Sequence, residues 1–113
     1  MRLRLIRLPG TDWYVIHTVG PIWRGDNAEA SARLSSCYRR SLEIAIETGI
    51  KTIAFPSISA GAFGYPIDKA AAIAVKTVRD FLEKNPVSID VTFCCFSERD
   101  VSVYNRCLAE LQS

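Results

Sequence analysis

The chain has 113 residues, 49% of them hydrophobic, with a formal charge of +2 at neutral pH. That length suits a single domain spanning residues 1–113, and the apolar content excludes a disordered chain. The charge is too mild to mark a nucleic-acid or membrane-surface binder, and no apolar run approaches the roughly 20 residues that span a bilayer.

The opening MRLRLIRLPG is basic and mildly apolar, without the continuous apolar stretch and small-residue cleavage site of a signal peptide. Arg2 to Leu8 alternates basic and apolar residues, which predicts a short edge strand ending at Pro9-Gly10. Trp13 to Val19 is dense in β-branched and aromatic residues and stops at Gly20-Pro21, predicting a second strand. A long helix follows the turn RGDN. Asp26 is its expected cap, with Glu29 completing a reciprocal pair, Leu34, Cys37, Tyr38, Ser41, Leu42 and Ala45 form its apolar stripe, and Gly49 is its left-handed stop.

Thr52 to Phe55 is a short apolar run without alternation, which predicts a strand covered on both faces. The next helix carries Ile67, Ala70, Ala71, Ala74, Val78, Phe81 and Leu82 on one stripe and ends at Asn85-Pro86. Val87 to Phe96 reads as a strand. Ser97 with Asp100 opens a last helix with the stripe Val101, Tyr104, Cys107, Leu108 and Leu111. The order β-β-α-β-α-β-α predicts an α/β fold, a parallel sheet with helices on both faces. Cys37, Cys94, Cys95 and Cys107 show neither metal-ligand spacing nor disulfide density. Reduced core thiols in a cytoplasmic protein, with no bound metal, are the expectation.

Between the third strand and the second helix runs PSISAGAFGYP, residues 56 to 66. In open α/β sheets ligands bind beyond the carboxyl ends of the strands, where a loop meets a helix N-terminus. Small residues there let successive amides approach an anion, and the helix adds partial positive charge. From the glycines alone, a loop that merely needs room to turn is an equal reading. Gly61 and Gly64 match neither the Walker pattern nor G-x-G-x-x-G.

The runs YVIHTVGPIW (14–23), SCYRRSLEIA (36–45) and TIAFPSISAGAFGYP (52–66), followed by the aliphatic helix and VTFCCF, carry a more specific likeness. In order and spacing they resemble the C-terminal portion of a macro domain, closest to the bacterial O-acetyl-ADP-ribose deacetylase and mono-ADP-ribosyl hydrolase branch. The likeness runs from about Leu8 to Leu111, with Ala60 where the family usually has Thr. It implies a three-layer αβα fold with a mostly parallel sheet, macro-domain-like but lacking the N-terminal strands and first helix. It also implies that the amides of Ser59 to Phe63 hold the diphosphate of ADP-ribose or O-acetyl-ADP-ribose, that Phe63 lies against the distal ribose, and that Phe96 packs on the adenine. A plain core role is the alternative for Phe96. The ligand-binding set is then Ser57, Ser59, Ala60, Gly61, Ala62, Phe63, Gly64 and Phe96.

A complete macro domain carries a further N-terminal part with an adenine-reading Asp, an Asn-Ala-Ala-Asn strand end and a glycine-rich loop with the Asp used in hydrolysis. This sequence shows no Asn-x-x-Asn, so no catalytic residue is assigned. His17 sits inside a strand and is expected as a core imidazole. Ser57 and Ser59 have no candidate His–Asp pair, and Cys95 has no neighbour to activate it. The central strand of the family's sheet is also expected to be missing, between the strands matching Trp13–Val19 and Thr52–Phe55. A two-fold homodimer or a complementing chain is expected to cover the resulting edge. The expected function is ADP-ribose recognition and processing at family level, with this chain retaining diphosphate binding and no cofactor. An ADP-ribosylated protein is a further possible partner. A non-catalytic nucleotide-diphosphate binder and a structural fragment needing a second chain are the alternatives, and RNA binding is an outside option that the charge does little to support.

Overall fold

Leu34, Tyr38 and Leu42 recur at helical spacing, and all three are fully buried along the first helix, α1 (Ala28–Thr48). Each such side chain contributes about 1.5–3 kcal/mol by leaving water. The computed structural model describes residues 3–7, 10, 14–18, 23–25, 28–56, 64–86, 88–95 and 97–112. The expected α1 stripe is buried as read, with Ala30 added at its start. The proposed cap Asp26 lies outside the described residues, and the Glu29 carboxylate pairs with Arg33 one turn on, at 2.9 Å. Gly49 ends α1 at φ 80°. Its amide donates to the Ile46 carbonyl and that of Ile50 to the Ala45 carbonyl, the paired bonds of a left-handed helix stop.

Before α1 come strands β1 (Leu3–Arg7) and β2 (Tyr14–Thr18), paired antiparallel from Leu3 opposite Thr18 to Arg7 opposite Tyr14. After α1 come β3 (Thr52–Pro56), α2 (Ile67–Lys84), β4 (Asp90–Cys94) and α3 (Glu98–Gln112). The β3 and β4 strands pair in parallel, with Phe55 opposite Phe93 and Pro56 opposite Cys94. Asn85 closes α2, its amide and side-chain nitrogen both donating to the Phe81 carbonyl at 3.0 Å. At the start of α3 the Asp100 amide donates to Ser97 Oγ at 3.2 Å, as the sequence predicts.

The α/β class and the order of elements stand as expected, while two details differ. Among the described residues the strands form two separate ladders, β1–β2 and β3–β4, and no hydrogen bonds join β2 to β3. The two flanks of the expected gap have therefore not closed on one another. The second difference concerns coverage of the strands. Ile53, Phe55, Val91 and Phe93 pack into the helical core, but Thr52, Ala54, Pro56, Asp90, Thr92 and Cys94 are all exposed. The expectation that Thr52–Phe55 is covered on both faces is corrected here. A four-residue apolar run is compatible with either case, because Ala54 is small enough to tolerate solvent. Among the described residues, one helical layer covers one face of the β3–β4 ladder.

An aromatic chain fixes that layer to the sheet. Tyr38 on α1 meets Phe55 edge-on at 4.9 Å, Phe55 and Phe93 stack at 6.2 Å, and Phe93 meets Tyr104 on α3 at 5.2 Å. The α2 helix packs against both α1 and α3. On α3 the buried face is Val103 and Tyr104 with Cys107, whereas Val101 and Leu108 are exposed at 45% and 38%. The expected α3 stripe is therefore rotated by part of a turn. Val103 and Val101 are equally apolar, so composition does not distinguish them, and the side chain of Leu111 lies outside the described residues.

Candidate ligand-binding site

Because β3 and β4 run in parallel and in register, their carboxyl ends, Pro56 and Cys94, lie side by side at one edge. The segment leading to α2 and the segment leading to α3 leave from that edge, where α/β sheets bind ligands. Of the expected ligand-binding residues, Ser57, Ser59, Ala60, Gly61, Ala62, Phe63 and Phe96 lie outside the described residues. Gly64 is described and exposed, with φ 73°. A β-carbon built there would sit 4.0 Å from Trp23 Cβ, an ordinary contact, so space is not what requires glycine. The left-handed backbone is. Gly64→Ala is expected to cost about 1–2 kcal/mol through the backbone alone, read as a lowered urea midpoint. An unchanged midpoint would show that the turn relaxes.

The chain re-enters regular structure through Tyr65 and Pro66. Pro66 precedes the first turn of α2, no side chain caps that end, and the Pro66 carbonyl accepts from the Ala70 amide at 2.9 Å. The positive end of the α2 dipole therefore lies at Pro66, where the chain enters the helix. Asp68 is exposed in this first turn, where its charge favours the helix end. Tyr65 is buried, its ring 4.8 Å from that of Trp23, and Lys69 Nζ lies 5.4 Å from the Trp23 ring centroid. Both aromatics fall within the runs YVIHTVGPIW and TIAFPSISAGAFGYP, with no role assigned from sequence. The Gly-Tyr-Pro triplet at a helix entrance was the available sign.

The thiols near this edge are not nucleophiles in waiting. Burial, then the Asp100 carboxylate and Cys94, push the Cys95 thiol above its ordinary value. Cys107 is raised by burial and by the charges of Glu110 and Asp68, against a lowering from Arg106. Both stay protonated at neutral pH, in line with the expectation for Cys95. Cys37 is buried, but Cys94 is exposed, which corrects the reading of all four cysteines as core thiols. The backbone of His17 lies in β2 opposite Arg4, while the expectation for its side chain falls outside the described residues. Among the described residues no group of three metal-ligating side chains comes together, and no helix is long and apolar enough to cross a membrane. A groove of about 810 Å³ runs between α1 and α2. Its walls mix Arg39, Lys76 and Lys84 with Glu43, Glu47 and Asp80, a balance that does not favour an anion.

A macro domain family model matches residues 6–74, which include β2, α1, β3 and the start of α2. The chain belongs to the macro domain family. It is 55% identical over 103 residues to a macro domain-containing protein of Chlorobaculum tepidum, covering 91% of this chain and 59% of that protein. It is 45% identical over 96 residues to the O-acetyl-ADP-ribose deacetylase of Citrobacter koseri, covering 85% and 54%. Two solved macrodomains share its fold. One, from Oceanobacillus iheyensis with ADP, superimposes with TM-score 0.83 at 44% identity, covering 88% of this chain and 52% of that one. The other, from Trypanosoma brucei in complex with ADP-ribose, gives TM-score 0.80 at 36% identity, covering 94% and 44%. This macro domain chain spans a little over half the length of the curated relatives it matches.

Proposed function

We propose that this chain recognises ADP-ribose, or O-acetyl-ADP-ribose, through the backbone of the segment between β3 and α2. One observation carries the reading: the parallel register that brings the ends of β3 and β4 to one edge, with α2 starting after Pro66 as the next element in the chain. An anion with two phosphates fits successive amides followed by a helix start. The likeness to a deacetylase and to macrodomains solved with ADP and ADP-ribose supports the same ligand class.

Calorimetry tests it. ADP-ribose and ADP are expected to bind and adenosine not, since the diphosphate is the group recognised. Adenosine binding as tightly as ADP-ribose would overturn the reading. Hydrolytic release of acetate or ADP-ribose is the second reading, favoured by the identity with the deacetylase. General acid–base assistance contributes about 100- to 10,000-fold to such reactions, and we take Asp68, in the first turn of α2, as a helix-end charge rather than as its source.

Self-association belongs to the same proposal. The exposed face of β3 and β4, together with the β3 edge that pairs with no other described strand, offers a surface for a second copy or a complementing chain. Light scattering is expected to give twice the 12.6 kDa of one chain, with the two-fold dimer as the favoured form. A monomer that unfolds cooperatively would rule this out.

A further inference from the structure

Among the described residues, Tyr65 is the first buried one in the segment that follows Pro56, between β3 and α2. Its ring meets that of Trp23 with planes tilted by 56°. Its hydroxyl lies 3.5 Å from Ser31 Oγ on α1, a long hydrogen bond. Lys69, in the first turn of α2, sets its ammonium over the same Trp23 ring, an attraction between cation and ring quadrupole. Two contacts therefore tie the entrance of α2 to Trp23, just ahead of α1, and a third ties it to α1 itself. They stand apart from the ring chain of Tyr38, Phe55, Phe93 and Tyr104 that holds the helices to the sheet.

We propose that Trp23 and Tyr65 form a clasp that sets how the glycine-rich segment enters α2, making Tyr65 a positioning residue for diphosphate recognition. The proposal rests on the reading of the chain as an ADP-ribose binder. Backbone amides recognise an anion well only when they already point at it, because ordering them at the moment of binding subtracts from affinity. One end of the segment is fixed by the β3 ladder at Pro56. Gly64, exposed and left-handed, cannot fix the other by packing. Tyr65 can, since it is held by a ring on one side and a helix on the other.

Trp13 and Trp23 are the two tryptophans, so a Trp13→Phe background leaves Trp23 as the sole indole. In that background Tyr65→Ala is expected to shift Trp23 emission and raise its quenching by acrylamide, and Tyr65→Phe to leave both unchanged. ADP-ribose affinity by calorimetry is expected to fall roughly 3- to 10-fold in Tyr65→Ala, the worth of an aromatic pair. It should stay within about twofold in Tyr65→Phe, the effect of one long hydrogen bond. Circular dichroism confirms folding, and if Tyr65→Ala does not fold, Trp23→Ala provides the same affinity measurement. A folded Tyr65→Ala that binds as tightly as the parent, or leaves Trp23 emission unmoved, overturns the proposal. If the parent itself binds no ADP-ribose, the functional reading and the role in recognition fall together, while the emission measurements still decide whether the clasp exists.

Discussion

Replacing Phe55 with alanine is expected to remove much of the chain's stability. Phe55 is 4% exposed, meets Tyr38 edge-on and stacks on Phe93, its partner across the parallel ladder. Truncation would open a cavity between α1 and the sheet. Phe→Ala changes in such cores cost about 3–5 kcal/mol, against roughly 5–15 kcal/mol for an entire domain. Urea unfolding measures the loss. Thr92→Ala, one residue away in register but on the exposed face, is the control and should change stability by less than about 0.5 kcal/mol. Equal costs for the two would mean that the exposed face is covered in solution.

Gly61→Val should abolish ADP-ribose binding, whereas Ser57→Ala should change it little. Recognition by amides depends on how near the backbone can come to the phosphates, and a β-branched side chain at the centre of the segment keeps it away. A serine hydroxyl at the segment's start is not needed for that approach. Calorimetry on both variants, with circular dichroism to establish folding, distinguishes a cradle from a turn. Parent-like binding by Gly61→Val would reduce the glycines to chain reversal and remove the basis of the proposed function.

The helical half of the fold was legible because burial there follows local periodicity. The Leu34–Tyr38–Leu42 stripe, the Gly49 stop, the Asn85 closure and the Ser97 cap each depend on residues within a turn or two of one another. What the sequence could not carry were choices made at a distance. Whether Val101 or Val103 turns inward on α3 depends on how the helix packs on the core, and whether Ala54 is covered depends on what lies over the strands. The contact between Trp23 and Tyr65 joins residues far apart in the chain, which no periodicity reports. Most residues expected to touch ligand fall outside the described residues. Of that set, only the glycine demanded by a left-handed backbone, Gly64, can be checked directly.

The two ladders also differ in how the chain must assemble them. The β1–β2 strands are neighbours along the sequence, and antiparallel pairs of this kind close in about 1–10 μs. The β3 and β4 strands cannot pair until the whole of α2 has been laid between them, because Thr52 must find Asp90. Such non-local closure slows folding. The hairpin is thus a local unit and the β3–α2–β4 crossover a global one, and described packing of the hairpin onto the core runs through Ile16. A hairpin that detached and re-formed while the crossover stayed closed would make native-state opening proceed in two cooperative steps rather than one.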